Sequence, residues 1–214
     1  MEGRDPSGLN AVSRGERRTL AVALITAACM GVEIAAAGWF MDKPWIDPGR
    51  MVAAGGSYGG YLSTVLLGRE HPFNALVIHA AVYDSYAQTA ADFAVHEQRF
   101  GPYWESPEIY RTISPHHFAD EFDTSDMIIH GQQDLRVPVG QAFELFRTLE
   151  TRRVESRLVY YPDENHWVLK PNNSLHWYGQ VCDWVQRFAA PGPAARDAAG
   201  TDQPEAESEG APEA

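Results

Sequence analysis

Four short, unbroken apolar runs mark out the middle of the chain. They lie at residues 51–54 (Met-Val-Ala-Ala), 75–80 (Ala-Leu-Val-Ile-His-Ala), 127–130 (Met-Ile-Ile-His) and 157–161 (Arg-Leu-Val-Tyr-Tyr). Runs without polar alternation are expected of strands covered on both faces, as in a parallel sheet. Between and after them the period changes. Residues 61–67 read as a helix. Over 141–149, Ala142, Leu145, Phe146 and Leu149 share one helical face. Over 175–188, Val181, Trp184, Val185 and Phe188 do the same. Strands alternating with helices predict a doubly wound α/β architecture built on a mostly parallel sheet. No internal repeat is visible.

One interval breaks the rhythm. Residues 81–124 separate the second and third runs and are rich in aromatic residues, with Pro102, Pro107 and Pro115 among them. Two readings stand: an insertion that shapes a substrate pocket, or a helical layer whose aromatics are core.

The 214 residues favour one domain, and 44% hydrophobic with 21% charged residues suits a soluble protein with a sizeable core. A net charge of −12 argues against nucleic acid as a partner. Part of that charge lies in residues 191–214, where six acids face one base, Arg196, and no aromatic residue occurs. This segment is expected to be a disordered acidic tail. Cys29 and Cys182 have neither a disulfide framework nor metal-site spacing and read as inert thiols. Near the N-terminus, Arg14, Arg17 and Arg18 precede a small-residue apolar run at 19–31, interrupted soon after by Glu33. The run is too short for a stable membrane span. It reads as a buried strand or helix in a cytoplasmic protein, or as an export signal leading to the periplasm. Residues 1–40 are therefore set apart from the body at 41–190.

Chemistry concentrates at the C-terminal ends of the apolar runs. The first run leads into Gly55-Gly56-Ser57-Tyr58-Gly59-Gly60, a strand, tight turn and helix with a central serine, the layout of a nucleophile elbow. Flanking glycines let backbone pass close to such a turn. Asp134 lies just past the third run and His166 just past the fourth. Ser, Asp, His is the chain order of an α/β-hydrolase triad, and open α/β sheets place their sites at this edge. Ser57 is the expected nucleophile, His166 its base and Asp134 the acid that orients the imidazole. The Tyr58 backbone N–H is the expected oxyanion donor. Asp163 and Glu164 adjoin His166 in sequence, but adjacency does not aim a carboxylate at Nδ1. His130 is read as orienting the turn before Asp134. The pair His116-His117 lacks the carboxylate or cysteine spacing of a metal site, and His71, His79, His96 and His176 read as ordinary residues. No metal or other cofactor is expected.

Three stretches then carry a resemblance: Gly55-Gly56-Ser57-Tyr58-Gly59-Gly60-Tyr61, His130-Gly131-Gln132-Gln133-Asp134-Leu135-Arg136-Val137-Pro138 and Asp163-Glu164-Asn165-His166-Trp167. Together they resemble the peptidase domain of the prolyl oligopeptidase family, over residues 45–189, in particular its dipeptidyl-peptidase and acylaminoacyl-peptidase members. The resemblance implies an α/β-hydrolase fold, a three-layer sandwich, with Ser57, Asp134 and His166 as the triad. It implies cleavage of short peptides, often after an apolar or aromatic residue, with Tyr58 and Val137 near the pocket for that residue. The family's β-propeller and its His-Gly-Gly-Pro-type loop have no counterpart in this sequence. The expectation is thus a partial peptidase domain without its N-terminal strands. Its nucleophile strand would be an open edge, able to pair with a second copy or to be covered by residues 19–30. The alternatives to an active peptidase are a weakly active or inactive remnant and a small carboxylesterase.

Overall fold

A computed structural model describes residues 31–93 and 95–189. The signal-like run up to residue 30, the proposed covering strand at 19–30 and the acidic tail at 191–214 lie outside the described residues.

Residues 31–41 are helical (α1). The elements that follow are β1 (Val52–Gly56), α2 (Tyr58–Leu66), β2 (Ala75–His79), α3 (Val95–Phe100), α4 (Pro107–Ile113), β3 (Ser125–Gly131), α5 (Gly140–Arg152), β4 (Ser156–Tyr161) and α6 (Pro171–Ala189). The four strands form one sheet in the order β1-β2-β3-β4, every pair parallel. All four apolar runs are therefore strands, with the central pair the most deeply buried: every residue of β2 is buried, as are the last six of β3.

The sheet is covered on both faces. On one, Leu66 and Leu67 at the end of α2 and Leu145 and Leu149 of α5 pack with Leu76, Ile78 and Ile128, and Ile34 of α1 joins them. On the other, Trp184 of α6 packs with Val77, Met127, Ile129 and Val159. The Trp184 indole N–H donates to the Leu76 carbonyl at 3.1 Å, so its polar atom is satisfied within the core. Fully burying a side chain of this size class is worth about 1.5–3 kcal/mol for each leucine or isoleucine. The faces read from the helical period hold: Ala142, Leu145, Leu149 and Trp184 are buried, and Phe146, Val181 and Phe188 pack partly buried beside them.

The interval at 81–124 holds a small core and part of a pocket wall. Phe100, Ile109, Tyr110 and Ile113 form a small core of their own. Trp104 and Tyr103 stay exposed. Phe100 and Ile113 also line the pocket beside Ser57.

Candidate active site

The turn after β1 holds Ser57 at φ 57° and ψ −115°, a positive φ that non-glycine residues rarely adopt. Two backbone bonds fix it. The Ser57 N–H donates to the His79 carbonyl at 2.8 Å, and the Ser57 carbonyl accepts from the Tyr61 N–H at 2.8 Å. Of the two glycines in the G-x-S-x-G frame, only Gly55 is constrained by close approach. A Cβ there would lie 2.2 Å from the Gly59 carbonyl oxygen, whereas a Cβ at Gly59 would meet open space. The strand can thus enter the turn directly beneath the first turn of α2. Tyr58 opens that helix immediately after the serine.

The C-terminal ends of β3 and β4 supply the other two groups. His166 Nε2 lies 2.9 Å from Ser57 Oγ, and His166 Nδ1 lies 2.7 Å from Asp134 Oδ2. Asp134 is buried, and its other oxygen accepts the backbone N–H groups of Arg136 at 2.8 Å and Val137 at 2.9 Å. Burial alone would raise this carboxyl's pKa. Hydrogen bonds from His130, His166 and the Val137 amide outweigh it and hold the group well below the usual carboxylate range. The structure therefore brings Ser57, His166 and Asp134 into one unbroken chain of hydrogen bonds, with the carboxylate ionised at neutral pH.

Asp163 and Glu164 point elsewhere. Asp163 takes the Lys170 ammonium at 2.7 Å and the Asn173 amide at 3.0 Å. Glu164, though buried, accepts the backbone N–H groups of Leu169 and Lys170 and the Asn173 amide. These bonds tie the loop that carries His166 to the start of α6. Glu164 is thus a loop anchor, a role that nothing in the sequence pattern signals. Gln141 is another: its side-chain oxygen accepts the Tyr83 and Asp84 N–H groups, and its amide donates to the Asp84 carbonyl at 2.8 Å.

A pocket of about 240 Å³ opens beside the serine. Tyr58, Val82, Phe100, Ile113 and Val137 give it apolar walls. His79 belongs to the site's surroundings rather than to the ordinary core. Burial, and then the neighbouring His130 and His166 imidazoles, push its pKa down to about 4.

Comparison with known proteins decides the family. The model of the prolyl oligopeptidase family matches residues 33–191. This chain belongs to the prolyl oligopeptidase family. A probable dipeptidyl-peptidase 5 of Aspergillus terreus is 33% identical over 195 residues, which cover 86% of this chain and 27% of that protein. Dipeptidyl-peptidase 5 of Porphyromonas gingivalis is 35% identical over 155 residues, covering 68% of this chain and 22% of that protein. Among solved structures, Pyrococcus horikoshii acylaminoacyl peptidase superposes with a TM-score of 0.65 at 19% identity, over 74% of this chain and 28% of its own. Porphyromonas gingivalis dipeptidyl peptidase 4 gives 0.67 at 24%, over 74% and 22%. The four parallel strands and their helices are accordingly part of an α/β-hydrolase fold. The chain spans about a quarter of the length of the relatives it matches.

Proposed function

We propose that this chain carries the acylation machinery of a serine peptidase acting on short peptides, with Ser57 as nucleophile, His166 as general base and acid, and Asp134 as the orienting carboxylate. The observation that carries the reading is the pair of distances at His166, 2.7 Å to Asp134 and 2.9 Å to Ser57. In this reading Ser57 Oγ attacks the scissile carbonyl carbon as its proton passes to His166 Nε2. The imidazolium gives that proton to the departing amine, so the C-terminal part of the peptide leaves with a free amino group and the N-terminal part stays on Ser57 as an acyl-enzyme. Water then attacks the ester, His166 takes a proton from it, and the acid product leaves as Ser57 regains its hydrogen. Asp134, ionised throughout, stabilises the imidazolium and keeps Nδ1 protonated. In this reading the Tyr58 N–H, at the start of α2, donates to the developing oxyanion. Loss of one such donor is worth roughly 3–4 kcal/mol in comparable sites. The apolar walls of the pocket suit an apolar or aromatic residue before the scissile bond.

The test compares dipeptidyl and acyl-aminoacyl anilides with p-nitrophenyl esters, using the purified chain and Ser57→Ala. The proposal expects anilide hydrolysis that the substitution abolishes. Ester turnover without anilide turnover makes the chain an esterase. A Ser57 that reacts with neither makes it an inactive remnant.

A further inference from the structure

His130 stands next to the proposed triad without being counted in it. It is the penultimate residue of β3, is buried to 1% exposure, and sits four residues before Asp134. Its Nε2 lies 2.8 Å from the Val137 carbonyl oxygen, an acceptor, so this nitrogen carries the hydrogen. The same nitrogen lies 3.2 Å from Asp134 Oδ2, the oxygen that also faces His166 Nδ1. The other ring nitrogen, Nδ1, is buried and has no hydrogen-bond partner among the described residues, which favours leaving it unprotonated. Two imidazoles, from two different strand ends, thus converge on one carboxylate oxygen.

We propose that His130 is a positioning residue for the triad: its Nε2–H, held between the Val137 carbonyl and Asp134 Oδ2, fixes the carboxylate against His166 and shares its negative charge. This rests on the reading of Ser57, His166 and Asp134 as a catalytic triad, and it adds a fourth group to that chain. The surroundings fit the role. The groups that face the Asp134 carboxyl are His130 from β3, His166 from the loop after β4, and the Arg136 and Val137 amides from its own turn. His79 at the end of β2 acts on the same carboxyl from farther off, and burial keeps it neutral. Arg136 points its guanidinium at Asp92, 2.8 Å away, rather than at Asp134. His130 is therefore the one side chain besides His166 with a nitrogen within 3.2 Å of this carboxylate among the described residues.

The consequence is a defined change in His166. Without the His130 donor, the carboxylate carries more of its charge toward His166 and holds the imidazolium more tightly. The His166 titration midpoint should then rise, and the acid limb of Ser57 reactivity should move to higher pH. A glutamine at 130 can reach with its amide nitrogen where Nε2 now sits and restore the donor.

The experiment follows the His166 imidazole by NMR titration in the wild-type chain, His130→Phe, His130→Met and His130→Gln, alongside the rate of fluorophosphonate labelling against pH. Expected are an upward shift of the midpoint in the Phe and Met variants, little shift in the Gln variant, and labelling at neutral pH slowed by roughly 10- to 100-fold in the first two, as suits a lost hydrogen bond to a charged group. An unchanged midpoint in all the variants, or the same shift in Gln as in Phe, overturns the proposal even if labelling falls. Should the apolar variants fail to fold, the wild-type chain decides alone: a long-range ¹H–¹⁵N spectrum must show His130 protonated at Nε2, and the Nδ1–H tautomer would rule the role out. The titration needs no turnover. Absence of labelling in the wild type would thus count against the proposed function, and the NMR result separately for or against His130.

Discussion

Gly131→Ala should disable the site without touching any of its functional groups. Gly131 closes β3, and the loop carrying His166 crosses directly over it. A Cβ built at 131 would lie 2.2 Å from the Asn165 carbonyl oxygen and 2.5 Å from that of Glu164. Ordinary van der Waals contact begins at 3.4 Å, so the backbone at 165 must retreat by about 1.2 Å, the difference of those two distances. Neither neighbour is a flexible side-chain end that could swing aside. Nor is the strain a matter of the 131 backbone, whose φ is not in the positive range. His166 follows Asn165 and holds its two partners at 2.7 and 2.9 Å, so a displacement of this size breaks both bonds. A misplacement of about 1 Å is worth roughly 100-fold in rate, which corresponds to about 2.7 kcal/mol. Overpacking should at the same time destabilise the fold by about 1–3 kcal/mol. The assay is the second-order rate of fluorophosphonate labelling, paired with urea unfolding. A variant that labels at the wild-type rate with an unchanged unfolding midpoint would refute this account of how β3 positions the His166 loop.

Three further outcomes are expected. Ser57→Gly should be more stable than Ser57→Ala by about 1 kcal/mol, the reverse of the usual order, because the φ of 57° at this turn strains any residue with a Cβ; equal midpoints in urea would remove the strain from the account. Asp126→Asn should raise the melting temperature at neutral pH, because Asp126 is buried, neither carboxyl oxygen has a partner among the described residues, and burial raises its pKa well above the ordinary value against a weaker opposing effect of the Met127 amide. The unfolded chain then loses this proton first, so the wild type loses stability as pH climbs above about 4, and a gap between the two proteins that fails to widen over that range contradicts the assignment. Among the described residues β1 pairs on one side only, and Ala54 in it is exposed; light scattering should detect concentration-dependent self-association that Ala54→Lys weakens by charging that strand, and a monomer at every concentration would dismiss it.

The strands were legible because burial on both faces writes itself as unbroken apolar runs. Helices α5 and α6 were legible because each keeps one apolar face, as Ala142, Leu145 and Leu149 of α5 and Trp184 of α6 show. Boundaries were less so. β1 extends through Gly55 and Gly56, which read as turn residues, since the sheet register carries them on to His79. β3 starts at Ser125 and takes in Asp126, a buried carboxyl that a hydrophobic pattern counts as a stop. At the site, Ser57, Asp134 and His166 could be picked out because each follows a strand and the order is restrictive. Gln141 and Glu164 could not be assigned their roles, and His130 was read as orienting the turn before Asp134 but not as approaching its carboxylate, since these contacts depend on partners far away in sequence or on which way a side chain turns within its own loop. The glycines show the same limit: the G-x-S-x-G frame marks the turn, but which glycine the backbone needs is settled only where Gly59 passes Gly55.

In the proposed mechanism His166 and Asp134 make Ser57 a nucleophile. Its most direct measurement is intact-mass and peptide-mapped labelling of the purified chain by a fluorophosphonate. Expected is a single adduct on Ser57, lost in Ser57→Ala and strongly slowed in His166→Ala and Asp134→Asn. A folded chain that takes no label, or takes it at Ser57 with equal speed in the His166 and Asp134 variants, would contradict it.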